Sequence, residues 1–285
     1  MSPVLLGLTA ALCWGVSDWW ARGLAQALGS FRAQLWSQLA GLSLLTVAAT
    51  GSGALGAACR GGDGRAWAFA LLYALLIGGA ALCFFEAFGK GTLAVVAPIV
   101  GGYGAVTVAW ALLFGARPAV STFAGLVAVV AGAVLASVPA ADQAPRENDR
   151  RGIKAAAAAA FLFGTAFFVL GREVAPALGS LVPAFLSRLV GPVLLVIIAR
   201  LLGVSAAPPP RGKRWLAICS GAVASAATVA TGLGSAGGGA AVVAVLGSLS
   251  VVVTVLIGLV MLREKLAGHQ WAGVVLALVG IPLLG

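Results

Sequence analysis

Charge is what this chain has least of: 9% of its 285 residues are Asp, Glu, Lys or Arg, while 61% are hydrophobic. So few charges cannot keep that much apolar surface in water, which excludes a soluble domain. Histidine occurs once, as His269, and a histidine-based metal centre is excluded with it. The cysteines form no Cys-x-x-Cys pair; Cys13, Cys83 and Cys219 lie in apolar runs and Cys59 in a loop. Neither a disulfide framework nor a zinc site therefore organises the fold. No Walker A motif is present, so this chain alone does not use ATP, and no metal or other cofactor is expected. A membrane enzyme acting on lipid-linked pyrophosphates needs clustered acids, and no repeated Asp-x-x-Asp occurs, so no residue is assigned a catalytic role. The net charge of +10 is dispersed singly or in small groups through the loops, as for membrane-flanking residues. Nucleic acid is accordingly not an expected partner.

What the chain does have is long apolar runs, several beyond the ~20 residues needed to cross a hydrocarbon core. Windows between charge and turn clusters give ten spans, at roughly 3–25, 31–50, 66–88, 92–115 and 119–139, then 152–172, 180–201, 214–235, 239–262 and 267–284. Lipid cannot hydrogen-bond a lone backbone group and the runs do not alternate, so the spans are expected to be helices. The first span has no basic residue ahead of it and reads as a retained helix, not a cleaved signal.

The chain is also written twice. Ala27-Leu28-Gly29-Ser30, then Ser37, Leu39 and Gly41, recurs as Ala177-Leu178-Gly179-Ser180, then Ser187, Leu189 and Gly191. Ala94-Val95-Val96-Ala97, then Val106 and Thr107, recurs as Ala241-Val242-Val243-Ala244, then Val253 and Thr254. Trp67 answers Trp215, Gly125 answers Gly273 and Gly132 answers Gly280, all at an offset of about 148. Five spans per copy is an odd number, so the second copy enters the membrane inverted. The expected fold is all-α integral membrane, ten transmembrane helices as two inverted five-helix repeats. Residues 1–139 form the first repeat, 140–151 a polar linker and 152–285 the second repeat. Ser205 to Arg211, with three consecutive prolines, is a stiff exposed connection. The loops following odd-numbered spans carry thirteen Lys/Arg and the alternate loops four, which puts both termini outside the cytoplasm.

The layout resembles the EamA-type branch of the drug/metabolite transporter superfamily over essentially the whole chain. Trp14-Gly15 is similar to that family's Trp-Gly motif, with Phe163-Gly164 as its softened copy. Val95-Val96-Ala97-Pro98-Ile99 resembles the proline-bearing start of the fourth span. Gly115-Ala116-Arg117-Pro118 resembles the Gly-Glu-Arg-Pro hinge, with Leu262-Arg263-Glu264-Lys265-Leu266 as second copy. Ala116 departs from the hinge glutamate and Val245 from the second-half proline, so the halves are expected to move unequally. The resemblance implies secondary transport of small metabolites, most often export of amino acids or drugs, with choline, nucleotide-sugar and lipid-linked relatives. It also implies both termini inside, against the loop charges.

Ionisable groups inside spans are costly and each requires an account. Trp14, Ser17 and Asp18 share one face of the first span. Either they line a central cavity, with Asp18 binding a cation or proton, or Asp18 is held by Arg22 one turn on. Glu86 stands near the end of the third span; it is either a second ion- or proton-coupling acid among Phe84, Phe85, Phe88 and the tryptophans, or the partner of Lys90. Arg188 requires a partner, for which Asp18 or Glu86 could serve; otherwise its fork suits a substrate carboxylate, or it snorkels to the interface. Its repeat equivalent is the uncharged Gln38. Pro98, Gly101 and Gly102 break the fourth span as a candidate gate, with Tyr103 beside them and Ser248 in the second copy. The substrate-binding candidates are thus Trp14, Ser17, Gln38, Tyr103, Arg188 and Ser248.

These features point to a bacterial inner-membrane secondary transporter, an exporter or exchanger of small metabolites such as amino acids, and not to an enzyme. Its expected partners are the substrate, the bilayer and, for coupling, protons. The alternatives are a carrier of choline-like cationic amines or drugs and, behind it, a lipid flippase.

Overall fold

The apolar residues surround each run instead of lying along one stripe, the pattern of helices that meet lipid and protein at once. The computed structural model describes residues 2–61, 63–90, 99–138, 149–250, 252–254, 256–257, 267–280 and 283, and each regular element among them is helical. Ten helices carry the fold among the described residues. The first five are α1 (Pro3–Leu28), α2 (Ser30–Gly51), α3 (Gly64–Lys90), α4 (Tyr103–Leu113) and α5 (Val120–Ser137). The second five are α6 (Asp149–Val169), α7 (Leu181–Leu202), α8 (Arg214–Gly234), α9 (Ala240–Ser248) and α10 (Gly268–Gly280). Among the described residues five helices are long and apolar enough to span a membrane outright, six if α2 is joined to the short helix Ala54–Gly61, which turns away from it by 70°. Ile99–Leu113, Val120–Gly132 and Ala240–Thr254 are shorter apolar helices.

Local chemistry sets the ends. Ser2 caps α1, its hydroxyl accepting from the Leu5 N–H, and Pro3 starts the helix where no N–H is needed. In the repeated Ala-Leu-Gly-Ser, Gly29 and Gly179 take φ of +79° and +72°, which a side chain would strain, and the chain turns there into α2 and α7. The expected linker is shorter than its polarity suggests: Asp149 to Arg151 already belong to α6, and 140–148 lie outside the described residues. The proline-rich connection is tied down, since Arg32 donates to the carbonyls of Ala207 (2.9 Å) and Pro208 (3.0 Å) and Trp36 Nε1 to that of Ala207 (3.1 Å).

The packing obeys the repeat. α1 lies against α8 and α9, and its counterpart α6 lies against α3 and α4. α2 packs on α8 as α7 packs on α3. The pairs α2–α7, α4–α9 and α5–α10 each bring a helix against its own counterpart. Exchanging the halves maps this set onto itself, as a two-fold axis between inverted five-helix repeats requires. The chain is therefore an all-α membrane protein of two inverted repeats. Small residues let the helices approach. A Cβ on Gly41 would meet the Ser225 hydroxyl at 2.5 Å, and one on Gly280 would meet Ala128 Cβ at 2.9 Å.

Candidate functional site

Two equivalent crossings frame the interior. On α1, Gly15 lies so close to the helical stretch beyond the end of α9 that a Cβ there would be 2.5 Å from Val253 Cβ; the Thr254 hydroxyl donates to the Gly15 carbonyl at 3.2 Å. On α6, a Cβ on Gly164 would be 2.5 Å from Val106 Cβ, and Thr107 donates to the Gly164 carbonyl at 3.0 Å. The glycines of Trp14-Gly15 and Phe163-Gly164 thus serve the same crossing in each half. Beside these crossings both α4 and α9 break. A turn at Gly102, whose N–H reaches the Ile99 carbonyl at 3.1 Å, is matched by one at Leu249, whose N–H reaches Leu246 at 3.0 Å. The second break forms without a proline. Gly101 is buried next to the first turn, and Pro98 lies outside the described residues.

Aromatic rings fill the space between the crossings. Trp14 stands edge-on to Tyr103 at 6.4 Å and packs on Phe167 at 5.4 Å, while Tyr103 meets Phe163 at 6.2 Å. Phe84 extends the cluster to α3 through Phe163, at 6.4 Å. Gly247 makes room, since a Cβ there would meet the Trp14 ring at 2.9 Å and the Tyr103 hydroxyl at 3.1 Å. The Tyr103 hydroxyl is buried without a hydrogen-bond partner among the described residues. Asp18 is half-buried, with no hydrogen bond or ion pair among the described residues; the Arg22 side chain lies outside them. Glu86 is exposed on the last turns of α3, and the Lys90 side chain is outside the described residues. Not all the tryptophans belong to this cluster: Trp36 is bound to the proline-rich connection and Trp110 donates to the Thr165 hydroxyl at 2.9 Å.

The second locus lies on the two-fold axis. Gln38 and Arg188, 150 residues apart and equivalent in the repeat, meet where α2 crosses α7, and Arg188 Nη1 donates to Gln38 Oε1 at 2.9 Å. The stem of Arg188 passes over Gly41, and the Gln38 amide packs on Gly191. Among the described residues Arg188 has no ion pair, so neither Asp18 nor Glu86 is its partner; the repeat symmetry places a neutral amide opposite it instead. Pro192, one turn on, has no N–H to give the Arg188 carbonyl. The two loci are linked through serines. The Ser17 hydroxyl donates to the Ser220 carbonyl at 3.0 Å, and Ser220 and Ser37 share a hydrogen bond at 3.1 Å. Ser17 is thereby committed to helix packing, and so is Ser248, whose hydroxyl donates to the Val245 carbonyl at 2.6 Å.

Sequence reasoning passed over two interior groups. The Gln34 amide, one turn before Gln38, and the Tyr73 hydroxyl on α3 are buried without a hydrogen-bond partner among the described residues. Gln34 shares with Ser37, Gln38 and Gly41 a buried face of α2 at helical spacing, which was the available signal. A lone tyrosine in an apolar run gives none. An open cleft of about 380 Å³ bounded by Leu6, Leu44, Leu181, Ser225 and Leu233 is apolar, and its one hydroxyl is bonded to Gly221.

Two inverted five-helix repeats, with polar side chains gathered at their shared axis inside an apolar shell, suit a membrane transporter of small molecules, and the family match shows that class. The profile of the EamA-like transporter family matches residues 1–138 and again 150–285, and the chain belongs to that family. A solved crystal structure of a protein has the same fold, with a TM-score of 0.74 at 20% identity, covering 99% of this chain and 95% of that one. No curated protein matches in sequence.

Proposed function

We propose that the protein moves small zwitterionic metabolites, amino acids foremost, by alternating access between its two halves. The observation that carries this reading is Arg188, a guanidinium inside the bundle whose partner among the described residues is the neutral Gln38. A cation in a low-dielectric interior is stable only when an anion offsets its desolvation, and a carboxylate fits the free side of the fork. Asp18 supplies the complementary charge for an ammonium group. The serine chain from Ser17 through Ser220 to Ser37 holds the turns bearing Asp18 and Gln38 at one depth. The rings of Trp14, Tyr103 and Phe167 then receive the apolar remainder of the substrate.

The breaks at Gly102 and Leu249 flank this centre and let α4 and α9 bend as the halves rock. Pro98 and Gly101 belong to the same gate. The chain runs as an exporter or exchanger in a bacterial inner membrane, driven by exchange or by protons carried on Asp18 or Glu86. A cationic amine carrier is the second reading, favoured by Asp18, which has no partner among the described residues and stands one turn after Trp14 in the aromatic cluster.

Thermal unfolding of the purified protein with a panel of amino acids and choline-like cations separates the two. Stabilisation by amino acids that is lost in Arg188→Ala supports the first reading. Stabilisation by the cations alone, lost in Asp18→Asn and kept in Arg188→Ala, replaces it with the second.

A further inference from the structure

Two crossings that the repeat should make alike differ. Where α2 meets α8, Gly221 lies against the backbone of Ser37 and Gly41, and Ser17, Ser37 and Ser220 satisfy one another. In the counterpart crossing of α7 with α3, the offset of about 148 that relates Trp67 to Trp215 puts Tyr73 in the place of Gly221. No serine triad forms there. Ser187, the counterpart of Ser37, donates to the Ala184 carbonyl at 2.8 Å. The offset of 149 that relates Gly15 to Gly164 puts Ala166, wholly buried and without a hydroxyl, in the place of Ser17. Tyr73 fills the gap between the helices, packed in the cluster that holds Val182 and Leu186 of α7, wholly buried.

Its hydroxyl has no partner among the described residues, and the repeat that puts Tyr73 in the place of Gly221, which lies against Ser37 and Gly41, turns it toward their counterparts Ser187 and Gly191 on either side of Arg188. A buried hydroxyl without a partner is destabilising, and so is a buried cation without a counter-ion. One anion between them would satisfy both. Among the described residues, Ser187 spends its hydroxyl hydrogen on Ala184 and Gln38 presents its oxygen to Arg188, so neither supplies the anion.

We propose that Tyr73 donates its hydroxyl hydrogen to the same carboxylate that Arg188 binds, so that α3 and α7 together form the anion subsite and Tyr73 sets the preference for acids over amines. This rests on the carboxylate reading of Arg188 given above. It also explains the divergence of the copies: one crossing has kept a self-satisfied triad that holds helices together, and the other has kept a donor in reserve for the cargo.

The test compares wild type, Tyr73→Phe and Arg188→Ala in proteoliposomes, reading half-saturation for counterflow of a labelled amino acid and of the amine left when its carboxyl group is removed. Thermal unfolding without ligand is read in parallel. Tyr73→Phe is expected to raise half-saturation for the amino acid roughly ten- to hundredfold, the loss of one hydrogen bond to a charged group, and to lower the preference over the amine. Its unfolding midpoint holds or rises, because removing an unpartnered hydroxyl leaves nothing unsatisfied. Amino-acid exchange that is lost in Arg188→Ala but unchanged in Tyr73→Phe overturns this inference alone. A Tyr73→Phe protein that fails to fold, or unfolds earlier with affinity unchanged, shows a structural hydroxyl and overturns it as well. A wild-type protein that exchanges no carboxylate-bearing substrate overturns both this inference and the reading beneath it.

Discussion

At the scale of single residues, most of the interior is decided by which positions can do without a Cβ. Gly15 and Gly164 allow α1 and α6 to lie on α9 and α4, with a hydrogen bond from Thr254 or Thr107 closing each contact. Gly164→Ala would push its methyl into Val106 and the Tyr103 carbonyl, 2.5 and 2.6 Å away, whereas Gly79→Ala would touch Leu162 at an ordinary 3.6 Å. Gly164→Ala is therefore expected to cost about 1–3 kcal/mol, a clearly lowered unfolding midpoint in detergent, with Gly79→Ala unchanged. Equal midpoints would show that the α4–α6 crossing is looser than described. Asp18, Gln38 and Arg188 are legible in the sequence because polar groups inside apolar runs stand out. The partner of Arg188 is not: charge alone selects Asp18 or Glu86, while the contact is dictated by a symmetry axis that brings position 38 to position 188. Tyr73 escapes notice because its hydroxyl matters only once the helices around it are placed.

At the scale of elements, the ten apolar runs and their division into two fives can be read directly from length and repetition. Less accessible are the irregularities. α6 ends in a π-helical turn, Leu170–Val174, with Pro176 just beyond it, and α8 in another, Ser235–Gly239, which no proline marks. Similarly, α9 breaks at Leu249 although Val245 stands where the first copy has Pro98, so the break follows from packing at the axis and not from a missing N–H. The two interhelical threonine bonds are equivalent by symmetry and should be similar in worth. Thr107→Val and Thr254→Val are each expected to lower stability by about 0.6 kcal/mol, the average for such bonds within membranes, and to add in the double variant. Chemical denaturation of the three proteins checks this; a large effect confined to one threonine would deny the equivalence.

At the scale of the whole molecule, the end carrying the amino terminus is tightly closed. A Cβ on Gly234 of α8 would lie 3.1 Å from Leu6 Cβ of α1, and one on Gly239 would lie 2.7 Å from Pro3 Cβ. The alternating access proposed above would require α1 and α8, which belong to different halves, to part there. With the native cysteines replaced, the pair Leu6→Cys and Gly234→Cys needs only a small shift to reach the Cβ separation of about 3.8 Å that a disulfide takes. Oxidation is expected to stop exchange and reduction to restore it. Full exchange by the cross-linked protein would mean that the halves do not open at this end. Inversion of the repeats follows from counting spans, but which end opens first does not, since it depends on contacts between helices remote in sequence.

Counterflow into proteoliposomes, with labelled amino acid outside and an excess of the same unlabelled amino acid inside, tests the central claim most directly. The wild-type protein should accumulate label transiently, and Arg188→Ala, folded to the same midpoint, should lose that uptake. Undiminished uptake by Arg188→Ala would contradict the claim that the arginine at the two-fold axis holds the transported carboxylate.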